Sequence, residues 1–411
     1  MPGYRTESMG GARVTLRALI VEDGRSRGAL AAVRGLSAAG WSVGVGWPGQ
    51  FSFAASSRHV RYRHEVPSAA ACVDGFLEAV KEAVRRSAYD VVFGAGDAEV
   101  LALSSGRDHV GAVIPYGPHE GVVRIFDKLH LYHAAIESGV PTPLTEPASA
   151  SAVEHFGRPM FVKARLHAPG DSPLSGSRWE STAAADGKEA LRLAGVMRAN
   201  GREPLIQQHV DGELMALAVL VDRDGASVAV VQQVADRVWP RPAGVSVRAR
   251  TVAVDQALLH GVVRLLRSFK WFGLAQAQFL APHNEPPQLI DLNGRFYGSM
   301  ALAIRSGVNF PALWAALATG RETPSNLDGS AHVGIRYQWL EGDLRRAVQE
   351  RESGLIRDVA SCLGYATTAH QNLSAVTDPM PLASYGGDLV RRVLRTPAKR
   401  WRRAFLAAGD A

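Results

Sequence analysis

Apolar and polar positions divide the chain into two unlike halves. "RALIVED" (17–23) is apolar and β-branched, "GRSRGALAAVRGLSAAG" (24–40) has apolar residues at helical spacing and a closing glycine, and "WSVGVGW" (41–47) is a second apolar run. A helical pattern, "GFLEAVKEAVRRS" (75–87), precedes the strand "DVVFGAG" (90–96), and "GAVIPYG" (111–117) reads as one more strand. Strand–helix–strand units with a glycine turn predict a parallel, Rossmann-like α/β sheet over residues 14–121. "GRSRG" (24–28) lacks the G-x-G-x-x-G spacing of a dinucleotide fingerprint, so it reads as a turn and a helix start.

From residue 122 the pattern changes. "VRIFDKLHLYHAAIESGVPTP" predicts a helix ended by Gly139 and a proline-bracketed turn. "PMFVKAR" (159–165) is a strand, "GKEALRLAGVMRANG" (187–201) a helix, and residues 203–238 several strands with a hairpin signal at Asp224-Gly225. A helix, "ALLHGVVRLLRSF" (257–269), is followed by two strands, "GLAQAQFLA" and "PQLIDLN". Strands and helices in blocks predict an α+β domain with antiparallel sheets over 122–330. Residues 331–388 form a C-terminal extension that opens on the strand "HVGIRYQWL", and 1–13 read as a disordered polar lead-in.

Composition narrows the function classes. With 46% hydrophobic and 21% charged residues among 411, the chain is ordinary globular protein, and no apolar run reaches membrane-spanning length. The polar start lacks a signal-peptide core, which predicts a cytoplasmic protein. Cys72 and Cys362 lie too far apart, in unlike contexts, to suggest a disulfide or zinc framework. The net charge of +7 is matched by seven basic residues between Leu389 and Arg403, where there is no acid. The remainder is near neutral, which argues against a nucleic-acid surface. The tail, 389–411, reads as a solvated terminal helix, with contact to anionic lipid or a partner as the alternative.

The candidate chemistry lies in "QLIDLNGRFYGS" (288–299). Asp291 and Asn293, two apart on a strand, point to one side of a sheet. If the strand pairs with "AQAQFLA", Gln278 faces them. One carboxylate and two amide oxygens suit Mg²⁺, which takes a few protein oxygens together with water and substrate phosphate. Arg295 lies on the same side if the strand continues, where a guanidinium can stabilise a phosphoryl group in transfer. Lys163 sits in an apolar run, where a lysine is costly without a partner. Lys128 follows an acid and opens a helix.

Together these marks resemble the ATP-grasp superfamily, in its carboxylate–amine ligase branch, over roughly residues 14–340. "FDKLHLYHAAIESGVPTP", "FVKAR", "LIQQHVDGE" and "AQFLA…QLIDLNGRFYGS" stand in the family's order. The resemblance implies a Rossmann-like pre-ATP-grasp domain followed by an ATP-grasp fold of two subdomains with a hinge near 205–213. It implies that Lys128 and Lys163 bind ATP phosphates, that Gln207, Gln208, His209 and Val210 hold adenine, and that Glu213 binds ribose. Gln278, Asp291 and Asn293 would hold Mg²⁺, with Mn²⁺ as an alternative, and Arg295 would steady the phosphoryl group. The glycine- and serine-rich stretch 167–177 stands where the family has a loop over the phosphates. The chain departs from the family in having Gln278 and Asp291 where glutamate is common, and in having no acid in the hinge. Arg237 is the chosen anchor for the substrate carboxylate or acyl phosphate, ahead of Arg241 and Arg248. Ser299 and Arg305 are placed on the acceptor side. The implied reaction joins a small-molecule carboxylate to an amine, with ADP and phosphate released. The alternatives are a carboxyphosphate- or carbamoyl-type reaction, or a Mg-ATP-binding protein without catalysis. The sequence leaves open a homodimer.

Overall fold

The structure, a computed structural model, describes residues 16–395 apart from 50, 157–158, 167–180, 242, 322–330, 372 and 374–376. The N-terminal lead-in, the stretch 167–177 and the end of the basic tail lie outside the described residues.

The first sheet is parallel, in the order β3 (Val60–Glu65), β2 (Ser42–Trp47), β1 (Arg17–Val21), β4 (Val91–Gly94). β1 and β4 are apolar because helices cover both faces, and their last residues point to one edge. The edge strand β3 alternates less and more exposed positions, and its polar side chains hide it from a reading by hydrophobicity. The predicted strand at 111–117 is reduced to one bridge, Val91 to Val113. The predicted helix beyond 122 is two helices, His119–Phe126 and Lys128–Glu137. The break is Asp127, whose side chain caps the second helix by accepting from the N–H groups of Leu129 and His130.

A small antiparallel sheet follows, in the order β5 (Thr145–Pro147), β8 (Pro204–Gln208), β6 (Met160–Ala164), β7 (Thr182–Ala184). It packs its own core against the helix Gly187–Ala199. The largest sheet has seven strands. Its order is β13 (Gln288–Asn293), β12 (Gly273–Ala281), β9 (Glu213–Val221), β10 (Ser227–Trp239), β11 (Val245–Val252), β14 (Arg336–Gln338), β15 (His370–Gln371). All its neighbours are antiparallel except β14 and β15.

One apolar core runs from the parallel sheet into the seven-stranded sheet. At their junction Phe93, Phe296 and Trp314 pack with ring centroids 4.9–5.5 Å apart. Burial of each such ring contributes about 2–3 kcal/mol. Gly28 allows a close backbone approach here, since a Cβ there would lie 2.8 Å from the Tyr297 nitrogen. The segment just beyond β13 is thereby clamped onto the parallel sheet. The C-terminal helix Met380–Arg395 runs across the predicted boundary at 388 and is tied back to the first sheet by Arg25–Asp388 (2.7 Å).

Candidate functional site

β12 and β13 form the hairpin, and their register sets Gln278 opposite Asp291 and Gln276 opposite Asn293. The three oxygen-bearing residues therefore share one face. Gln276, missed in the sequence, belongs to the same face and is buried. Between Leu289 and Asp291 the strand bulges, leaving Ile290 without an opposite residue. Its carbonyl accepts from Lys163 Nζ at 3.3 Å, a contact from the small sheet to the large one. Bulges re-aim side chains in this way. β13 is also stitched to the proline turn, with Leu289 N–H donating to the Pro141 carbonyl at 2.7 Å and Thr142 Oγ1 to the Leu289 carbonyl at 2.9 Å.

Lys163 is buried, with 7% of its surface exposed, and that one carbonyl is its hydrogen-bond acceptor among the described residues. Burial pulls its ammonium down to about 8, Lys128 adds to the effect and Asp291 opposes it. Lys128 Nζ lies 3.9 Å from Asp291 Oδ1. The two lysines, one from a helix start and one from a strand, thus meet the carboxylate end of β13.

Arg295 comes to the same place by a different route from the predicted one. β13 ends at Asn293, so alternation does not carry Arg295. Instead its Nε bonds Asp97 Oδ1 at 2.5 Å, at the start of the helix that follows β4. Burial opposes its charge, but Asp97 and then Asp291 outweigh it and hold the guanidinium above its ordinary range. Beside Asp97 the edge of the parallel sheet carries further acids. Burial, and next the nearby Asp23, push Glu99 up to about 7 and Glu22 up to about 8. Glu22 accepts from Ser52 Oγ and from the Ser26 N–H. None of these acids is legible as a site in sequence, because only the sheet edge brings them together.

A cleft between the two antiparallel sheets is lined by Lys128, Tyr132, Thr145, Lys163, Gln207 and Leu289, among others. Gln207 is buried and donates from Nε2 to Thr145 Oγ1 at 3.0 Å. The Gln208 N–H is taken by the Leu144 carbonyl at 2.9 Å, so the exit from β8 begins at His209 and Val210. His209 stacks near Phe161 and donates from its Nε2 to Asp211 Oδ1 at 2.9 Å. Glu213 is exposed at the start of β9.

Arg237 lies elsewhere. Its NH1 reaches Asp343 Oδ1 at 3.3 Å, alongside Arg248, Arg346 and Gln338, and Arg241 pairs with Glu352. Ser299 exchanges hydrogen bonds with Gln233, and Arg305 is exposed.

A divalent cation fits the hairpin's donors only in company. Among the described residues no three His, Cys, Asp or Glu side chains converge on a metal position. Gln278, Asp291 and Asn293 supply one carboxylate and two amides, a set completed by phosphate oxygens and water.

Residues 202–342 match the sequence model of a family described as ATP-grasp in the biosynthetic pathway with Ter operon. No curated protein matches the chain. Its fold is similar to that of the L-amino acid ligase of Bacillus licheniformis, at 14% identity and a TM-score of 0.58, covering 78% of this chain and 79% of that one. It is similar to the ADP complex of Staphylococcus aureus N5-carboxyaminoimidazole synthetase, at 12% identity and 0.59, covering 82% and 86%. It is similar also to the biotin carboxylase domain of Hydrogenobacter thermophilus 2-oxoglutarate carboxylase with MgADP, ADP and bicarbonate, at 14% identity and 0.59, covering 77% and 73%. The chain thus shares the ATP-grasp fold with these ligases and carboxylases, and its residues 202–342 match an ATP-grasp family model.

Proposed function

We propose that this protein is an ATP-dependent ligase that joins a carboxylate to an amine through an acyl phosphate, releasing ADP and phosphate. The observation that carries the reading is Lys163, a buried cation with a single carbonyl acceptor among the described residues, set beside Lys128 and Asp291 at the mouth of an apolar cleft. A buried ammonium so thinly partnered is stabilised by an anion that enters the cleft.

In this reading the cleft takes the nucleotide's base between the sheets. His209 and Val210 meet it with their backbone, beyond the paired Gln207 and Gln208, and Glu213 receives the ribose. Lys128 and Lys163 bind the phosphates. Gln278, Asp291 and Asn293 hold Mg²⁺, or Mn²⁺, whose contribution is to neutralise charge on the transferring phosphoryl group. Arg295 steadies that group while Asp97 fixes the guanidinium's orientation. Arg237, with about a fifth of its side chain exposed, can hold the substrate carboxylate only by sharing its charge with Asp343. Glu99, in the helix that begins at Asp97, is pushed up to about 7 by burial and lies within electrostatic reach of Arg295, so it can receive the proton that an ammonium acceptor gives up before attack. Positioning and charge neutralisation are the protein's main work. The substrates are small molecules, and the protein acts in the cytoplasm.

The test is an ADP-release screen with pooled carboxylic acids and amines, followed by mass spectrometry of the product. A carboxyphosphate-forming reaction is the second reading, favoured by the likeness to a structure holding bicarbonate. It gives ADP release that requires bicarbonate and no organic acid. Tight Mg-ATP binding with no ADP release under any mixture would replace both by a binding protein.

A further inference from the structure

The hinge of this chain has glutamine where many ATP-grasp proteins have an acid. A carboxylate presents only acceptors, whereas an amide can present either its oxygen or its NH₂. Which one faces the cleft decides which base is read, so the surroundings of Gln207 matter. Thr145 Oγ1 donates its single proton to the Pro143 carbonyl at 2.9 Å. The same oxygen then has only lone pairs left for its other neighbour, Gln207, 3.0 Å away. Gln207 must therefore turn its NH₂ to Thr145 and its Oε1 the other way. Both side chains are buried, at 3% and 7% exposed, and both line the cleft. Among the described residues no donor meets Gln207 Oε1.

We propose that the chain Pro143 C=O, Thr145 OH, Gln207 amide is a specificity device that selects a 6-aminopurine over a 6-oxopurine nucleotide. It rests on the nucleotide reading of the same cleft. The outward Oε1 accepts from a 6-amino group. A 6-oxo group there sets two carbonyl oxygens against each other and leaves both unpaired in a buried place, which is the costly case. Thr145 makes no contact with the base in this scheme and acts by orienting Gln207.

The experiment compares affinities for ATP and GTP, each with Mg²⁺, by calorimetry. It uses the full chain and the variants Thr145→Val, Thr145→Ser and the double variant Thr145→Val/Gln207→Glu. The parent chain prefers ATP by at least about tenfold. Valine matches threonine in shape but removes the acceptor, so the amide turns freely and the ATP/GTP ratio falls about tenfold, towards parity. Serine keeps the ratio. Glutamate needs no orienting partner, so the double variant regains the preference for ATP, a recovery that a purely structural role of Thr145 does not give. An unchanged ratio in a folded Thr145→Val chain that binds ATP overturns the device and leaves the nucleotide reading standing. A parent chain that binds neither nucleotide overturns both.

Discussion

Asp343 and Lys163 are both buried ionisable groups that reach the seven-stranded sheet, and they are partnered to very different degrees. Asp343 is fully buried and meets Arg248 at 2.5 Å, Gln338 at 2.8 Å, and Arg237 and Arg346 at 3.3 Å. Arg346 in turn lies within 4.0 Å of Glu350, Glu352 and Asp358. Burial works to raise the Asp343 carboxyl, yet these bonds outweigh it and hold it below the ordinary range. Among the described residues Lys163 has one carbonyl at 3.3 Å, and burial pulls it down to about 8. A closed network of this kind locks the C-terminal extension onto the sheet. An open one keeps a cation waiting.

That contrast is broken most sharply at Asp291. With Asp291→Ala the ADP-release rate falls about 1,000-fold or more, on the scale of losing one preorganised electrostatic partner, while the melting temperature moves by no more than a few degrees. Retained activity would remove the metal assignment. Asp343→Ala should do the reverse. Stranding three guanidinia costs about 3–5 kcal/mol, a drop on the order of 5–10 °C, while the folded fraction keeps its turnover. Arg237→Gln decides where Arg237 belongs. Lower stability with an unchanged KM assigns it to the Asp343 network, and a raised KM for the carboxylate assigns it to the substrate.

Lys163 gives a pH-dependent test of the open half. Below about pH 8 the free protein carries the ammonium already. Above it, phosphates that favour the charged form must draw in a proton, so affinity for nucleotide falls as pH rises. Calorimetry in two buffers of unlike ionisation enthalpy should read uptake of a fraction of a proton per site near pH 8.5 and almost none near pH 6.5. Equal uptake at both would mean that Lys163 does not face the phosphates.

What the sequence revealed follows the same line. The hairpin of β12 and β13 was legible because alternation and a polar turn are local signals, and the register keeps Gln278 opposite Asp291. Lys128 was legible as a helix start because Asp127 is a cap. The bulge at Ile290 was not, since it changes pairing without changing composition. The Arg295–Asp97 pair spans 198 residues and the Arg237–Asp343 pair 106, so nothing local announces either. Arg237 therefore looked as available as Arg295. The strand β3 was hidden because an edge strand with one wet face carries charges that read as loop.

The smallest expected effect concerns the acids at the edge of the parallel sheet. Glu22 is intermediate between the two cases: two donors hold it, but burial and then Asp23 lift it to about 8. Its folded value lies above its ordinary one. Between about pH 4.5 and pH 8 the folded chain thus binds more protons than the unfolded chain, and stability declines as pH rises across that window. Glu22→Gln keeps the shape of the neutral acid and removes this share of the decline. The variant's melting temperature relative to the parent should therefore climb between pH 5 and pH 8, by about 1–3 °C in a protein of this size. Glu99 contributes to the same slope, so the slope is reduced rather than abolished. A difference that stays constant with pH would show that Glu22 is charged in the folded protein, with the bonds from Ser52 and Ser26 outweighing its burial.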